Sequence, residues 1–185
     1  DSYKYIKDSS IDIVDLENNH GVGGAFIEGF NFISNNPRFS NISYIAKIDA
    51  DDQHDPEDIL LMLDDLIQKD ADLIKGNRYL LSREPVGQSF IRKFGNFGLT
   101  FLHELSTGYW HTADPINGMI VVRKEVLSLI LLKFEIHSRY LFESSILSSC
   151  SKVGAVVFDC PNTIKYDGEH SSLSVKSEIL RFGIY

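Results

Sequence analysis

The spacing of apolar residues changes several times along the chain, and each change predicts an element. Residues 11–16 (IDIVDL) alternate apolar and polar side chains, the period of a half-buried strand. NNHGVGG interrupts that run. AFIEGFNFISNN then places Phe26, Ile27, Phe30 and Ile33 on one helical face. After Asn36-Pro37, ISYIAKID is rich in β-branched residues and predicts a second strand. PEDILLMLDDLIQKD is the clearest helix, with Ile59, Leu60, Leu63, Leu66 and Ile67 recurring at helical intervals. ADLIKGNRYL predicts another strand, ending at Gly76. This alternation of strand and helix favours a parallel sheet covered by helices on its faces.

Residues 82–88 then read as a loop, and residues 89–107 as a helix weakened by Gly95 and Gly98. DPINGMIVVRKEVLSLILL predicts turn, strand and helix, YLFESSILSS (140–149) a helix, and GAVVFDCP a strand. The closing KYDGEHSSLSVKSEILRFGIY opens as a polar loop. Its end sets Ile179, Leu180, Phe182 and Ile184 beside Lys176 and Arg181, a pattern that an interfacial segment would share with one covering a sheet. No repeat or linker divides residues 1–185, so one domain is expected.

The 185 residues suffice for one sizeable core. With 18 basic and 26 acidic residues the net charge is −8, which disfavours nucleic acid as a partner and suits a divalent cation. No apolar run approaches the length of a membrane span. Cys150 and Cys160 do not make a disulfide scaffold, and reduced thiols in a cytoplasmic protein are expected.

The charge is concentrated in DADDQHDPED, residues 49–58. A helix start explains half of it: Asp55 as N-cap, Pro56 at N1, and Glu57 and Asp58 in the first turn, with Asp58 completing a capping-box-like arrangement. It does not explain Asp49, Asp51 or Gln53, which follow a strand where open sheets bind ligands. Two neighbouring carboxylates repel unless a cation lies between them, and a hard divalent ion meets that need. An EF-hand would require glycine and glutamate where His54 and Leu60 stand, and HExxH is absent. The scattered histidines, His54 and His103 among them, are read as ordinary surface or core residues.

The glycines of NNHGVGG fit neither a dinucleotide fingerprint nor a Walker A loop, and serve either as a tight turn or as a ligand-side loop. Arg78 follows the strand DLIKGN and Arg92 follows the loop; both suit a phosphate-bearing substrate. Asp114-Pro115-Ile116-Asn117-Gly118 is either a plain turn or the seat of a general base or substrate-orienting carboxylate, Asp114.

Together and in this order, these motifs resemble family 2 glycosyltransferases of the GT-A fold, a Rossmann-like, mostly parallel α/β sheet flanked by helices. The nearest likeness is to the polyprenyl-phosphate branch that includes dolichyl-phosphate mannosyltransferase. The family's DxDxQHxPE is met by Asp49 to Glu57, and its G-[SN]-R by Gly76-Asn77-Arg78. Arg92 meets an arginine after the flexible loop, Asp114 to Gly118 meet DPxxG, and His170-Ser171-Ser172 meet a late HSS. The resemblance implies Mg²⁺ or Mn²⁺ held by Asp49, Asp51 and Gln53, and a nucleotide sugar, UDP- or GDP-linked, contacted by Asp49, Asp51, Arg78 and His170. It implies catalytic roles for Asp114 and Arg92, and inverting transfer to a polyprenyl phosphate or a glycan. It also implies a cytoplasmic protein that works in cell-envelope biosynthesis and meets the membrane peripherally. The P-x-Y-N-E and D-D-x-S-x-D segments with which the family begins are not visible, so one strand-helix-strand unit of the pattern is missing before Asp1. The alternative is a nonenzymatic GT-A-like module that binds nucleotide or sugar.

Overall fold

The computed structural model describes residues 11–80, 90–139 and 141–163. Among the described residues four strands form one sheet: β1 (Tyr44–Lys47), β2 (Leu73–Asn77), β3 (Ile120–Arg123) and β4 (Val157–Pro161), in the order β1-β3-β2-β4. β2 and β4 pair in parallel, whereas β3 runs antiparallel to both β1 and β2. Three strands therefore share a direction, as the alternation of strand and helix predicts. The difference lies in adjacency: β1 and β2 never touch, because β3 is inserted between them.

Successive residues on each strand face opposite sides, and two apolar layers result. Ile45, Leu73, Val122 and Val157 pack with Phe30 of α1 (Gly21–Asn35), Leu127 and Ile130 of α4 (Lys124–Lys133), and Phe142, Ile146 and Leu147 of α5 (Phe142–Val153). Ile74, Val121, Met119 and Cys160 pack with Met62 and Leu66 of α2 (Asp58–Gln68). Each fully buried side chain of this size contributes roughly 1.5–3 kcal/mol. A further helix, α3 (Phe90–Thr107), lies against α5. Among the described residues no helix is long and apolar enough to cross a membrane. Cys150 and Cys160 are buried free thiols, with Cys150 pushed up to about 12 and Cys160 to about 11, both mainly by burial.

Three sequence expectations change. IDIVDL forms no strand: Ile11, Ile13 and Val14 are exposed, and Asp12 pairs instead with Arg38 at 3.0 Å. The glycine segment belongs to a helix, since α1 starts at Gly21, whose φ of 74° a side chain would rarely adopt. Gly23 and Gly24 donate to the Ser138 carbonyl at 2.9 and 3.2 Å, and a Cβ on Gly23 would strike His137 and Phe142. Those glycines serve close packing. On α2 the buried stripe is Asp58, Met62 and Leu66, while Leu60 and Ile67 are exposed.

Candidate functional site

Because β1, β2 and β4 point the same way and β3 points back, one edge of the sheet collects four segments. These are the loop after β1 with Asp49 and Asp51, the end of β2 with Arg78, the end of β4 with Asn162, and the 114–118 turn that leads into β3. Three of the segments are those the motifs single out.

The loop after β1 bends at Asp52, which takes a left-handed φ of 61°. Asp51 is exposed, and its Oδ1 accepts the Gln53 backbone N–H at 3.1 Å. Asp49 is half-buried, and its Oδ1 accepts from Lys47 Nζ at 2.7 Å. Its other oxygen lies against Gly118, where any Cβ would overlap the carboxylate. Asp49 thus rests directly on the 114–118 turn. His54 is 7% exposed and hydrogen-bonds Asn162 Nδ2 through Nδ1 at 3.3 Å. Burial lowers its pKa, with Lys47 and Arg78 acting the same way and the Asp49 and Asp51 carboxylates opposing. Lys47, Asp49, Asp51 and Arg78 are thus all close enough to His54 to act on its charge.

Asp114 is 1% exposed and closed by a guanidinium fork. Arg78 Nε donates to Oδ2 and Nη2 to Oδ1, each at 2.7 Å; the Arg78 backbone N–H and Asn117 Nδ2 reach Oδ2 at 3.3 and 3.2 Å. Burial pushes the Asp114 carboxyl up. The hydrogen bonds and charge of Arg78, reinforced by Lys75, more than offset it, and Asp114 stays below the ordinary carboxylate range.

A second ring of polar groups lies beneath. Lys75, fully enclosed on β2, donates to the Asp114 carbonyl at 2.6 Å and the Gly76 carbonyl at 3.1 Å. Asp159 Oδ1 sits 3.2 Å from its Nζ, an ion pair without hydrogen-bond alignment. Burial lowers the Lys75 pKa against the pull of Asp159 and Asp114. Asp159 Oδ2 accepts from Asn77 Nδ2 at 2.6 Å and from the Ala113 N–H at 2.8 Å. Lys47 Nζ also donates to the Gly118 carbonyl at 2.8 Å and reaches Glu143 Oε1 at 3.3 Å. Burial raises the Glu143 pKa, and Lys47 opposes that shift.

Of the residues the sequence nominates, Asp49, Asp51, Arg78 and Asp114 come together, with Gln53 half-buried on the same loop. Arg92 lies near the start of α3, its side chain outside the described residues; His170, the 82–88 loop and KSEILRFGIY also lie outside them. Sequence reading missed Lys47, Lys75, Glu143, Asp159 and Asn162, and gave His54 no role at the site. The lysines did leave a signal, a charge within an otherwise apolar run, at the end of β1 for Lys47 and in the middle of β2 for Lys75. Asp58 is also more than a first-turn charge: its Oδ2 accepts the Thr163 N–H at 2.7 Å and ties α2 to the end of β4. Asp55 is not the N-cap the sequence suggests: α2 begins at Asp58 with Glu57 at its N-cap and no side-chain cap bond, and Asp55 Oδ1 accepts the Glu57 N–H at 3.1 Å in the turn before it.

The donor set fits a divalent ion only in part. Asp49 and Asp51 offer hard carboxylate oxygens from one loop, and among the described residues no group of three or more His, Cys, Asp or Glu could hold a metal. An ion there would take its remaining ligands from phosphate and water, as Mg²⁺ commonly does.

The model of the family described as glycosyl transferase family 2 matches residues 1–131. A UDP-N-acetylglucosamine–dolichyl-phosphate N-acetylglucosaminyltransferase of Methanococcus voltae is 31% identical over 114 residues, 62% of this chain and 43% of that protein. An uncharacterized protein of Methanocaldococcus jannaschii is 27% identical over 144 residues, 77% of this chain and 56% of its own length. The chain thus spans about half the length of these curated relatives. The solved structure of glucosyl-3-phosphoglycerate synthase from Mycobacterium tuberculosis, in complex with UDP, superposes with a TM-score of 0.58 at 13% identity. It covers 89% of this chain and 51% of that one, a likeness of fold. The α/β sheet is accordingly of the GT-A type, and the chain belongs to glycosyl transferase family 2.

Proposed function

We propose that the protein transfers a sugar, with inversion, from a nucleotide-diphosphate donor to a polyprenyl phosphate. Asp49 and Asp51, with Gln53 beside them, would hold Mg²⁺ or Mn²⁺ against the donor diphosphate. Bound there, the ion would neutralise charge growing on the leaving diphosphate. Asp51 is the exposed ligand, and Asp49 is oriented by Lys47 and Gly118. Arg92 is assigned to the acceptor and His170 to the donor.

The observation that carries the choice of acceptor is the closed state of Asp114. A hydroxyl acceptor needs a base, and a carboxylate held ionised by a guanidinium fork is a poor one. A phosphate acceptor is already an anion and needs only orientation and a positive field. Arg78, oriented by Asp114, stands at the sheet edge to position that anion. The archaeal relative named for dolichyl phosphate supports the same reading, and its donor and the UDP held by the structural neighbour favour a UDP-sugar. Such an acceptor would bring the protein to the surface of a membrane in cell-envelope biosynthesis.

Labelled UDP- and GDP-sugars, Mn²⁺ and short-chain polyprenyl phosphate test this directly. Label entering the organic phase supports the proposal. Transfer only to a soluble saccharide overturns the acceptor, and tight UDP binding without any transfer favours a binding module.

A further inference from the structure

Two buried ammonium groups grip the two ends of the turn that carries Asp114. Lys75 Nζ holds the Asp114 carbonyl at 2.6 Å, and Lys47 Nζ holds the Gly118 carbonyl at 2.8 Å. Strand register explains the symmetry. Lys47 on β1 and Lys75 on β2 both pair with Ile120 of β3, so they flank the strand that the turn feeds. Each lysine has its own counter-ion from another element, Asp159 of β4 for Lys75 and Glu143 of α5 for Lys47.

Stability alone does not account for this arrangement. The turn already closes itself, with the Asn117 N–H on the Asp114 carbonyl at 3.1 Å and the Met119 N–H on Asn117 Oδ1 at 3.0 Å. Well-packed apolar residues commonly replace a buried ion pair without loss, because desolvating two charges is costly. What an apolar residue does not provide is a directed bond to a particular carbonyl. Here those carbonyls bound the segment whose carboxylate sets Arg78.

We propose that Lys75 and Lys47 form a two-point clamp that fixes the Asp114–Arg78 pair relative to the Asp49–Asp51 loop, with Lys75 as a positioning residue for the acceptor side. The proposal rests on the transferase reading above. Lys47 touches both halves of the site, since it also binds Asp49. The bonds of Lys75 go to Asp114, Gly76 and Asp159, away from the metal-side carboxylates. It therefore separates acceptor positioning from donor binding.

Lys75→Met combined with Asp159→Asn removes the pair together and leaves no buried charge alone. Amide hydrogen exchange across residues 113–119 should then rise by about tenfold or more relative to α2. UDP affinity in the presence of Mn²⁺ should stay within about twofold, while kcat for transfer from UDP-N-acetylglucosamine to polyprenyl phosphate falls roughly 30- to 100-fold. Lys75→Gln combined with Asp159→Asn also removes both charges while keeping polar atoms at both positions, and should give the same pattern more weakly if the first double variant fails to fold. Unchanged exchange in the turn of a folded variant overturns the clamp, as does a UDP affinity that falls in step with kcat. Faster exchange in the variant, with no transfer by the parent protein, rejects the transferase reading and leaves the clamp standing.

Discussion

Arg78 meets Asp114 as a parallel fork, Nε to Oδ2 and Nη2 to Oδ1, both at 2.7 Å. Asp114 is almost wholly enclosed, and the guanidinium has a side-chain exposure of only 17%. Arg78→Ala should therefore strand a buried carboxylate and cost roughly 3 kcal/mol. Adding Asp114→Asn should recover part of that loss. Urea unfolding of both single variants and the double variant checks it; a cycle with coupling below about 0.5 kcal/mol would show the fork to be ornamental.

The Asp49–Asp51 loop and the start of α2 should separate cleanly. Asp51→Asn should abolish most Mn²⁺-dependent UDP binding by calorimetry and leave stability nearly unchanged, because Asp51 is exposed. Asp58→Ala should do the reverse, costing about 1–3 kcal/mol through the orphaned Thr163 N–H while sparing nucleotide binding. Equal losses of binding in the two variants would refute the assignment of the loop.

Gly118 is, with Lys47, a contact between the two halves of the site. Gly118→Ala forces a methyl into the Asp49 carboxylate and toward Lys47 Nζ. The expected cost is about 1–3 kcal/mol, accompanied by weaker Mn²⁺-dependent UDP binding. Thermal melts and calorimetry on the same sample measure both, and a variant with unchanged nucleotide affinity would contradict the placement of Asp49.

His103 should give the fold an acid limb. Its Nε2 is buried without a partner, and burial, with Lys75 second, pushes its pKa down to about 4 from 6.5. Between those values the unfolded chain binds the extra proton, so stability falls as pH drops from 6.5 toward 4 and is flat above. The total from this group is roughly 3 kcal/mol. His54, also lowered, adds to the slope in the same direction. His103→Leu should make the loss of Tm between pH 7 and pH 4.5 smaller than in the parent; an identical loss would assign the limb elsewhere.

Apolar patterning was enough to anticipate α3, α4, α5 and the four strands of the described residues, the strands as short apolar runs, with β2 buried at every position. DxD and DPxxG stood out for a different reason: the start of α2 does not call for acids at Asp49 or Asp51, and Asp114 lies in a separate turn. What escaped depended on partners far along the chain. NNHGVGG reads as a breaker until Ser138 supplies the carbonyl that receives Gly23 and Gly24. IDIVDL has the alternation of a strand but no strand beside it among the described residues. Lys47 and Lys75 look like blemishes in apolar runs, and only the register with Ile120 gives them a common task. Asp58 fits a capping argument so well that its bond to Thr163 leaves no trace in the local sequence.

The insertion of β3 between β1 and β2 also governs the order in which the molecule can be completed. During synthesis the Asp49 loop and the Arg78 end of β2 emerge first, each beside a strand that has no neighbour of its own. Neither can take its final bearing until residues 114–123 arrive and zip between them, a closure between distant parts of the chain. The nascent protein therefore carries its acids and its arginine apart until β3 joins them, and β4 closes the arrangement last.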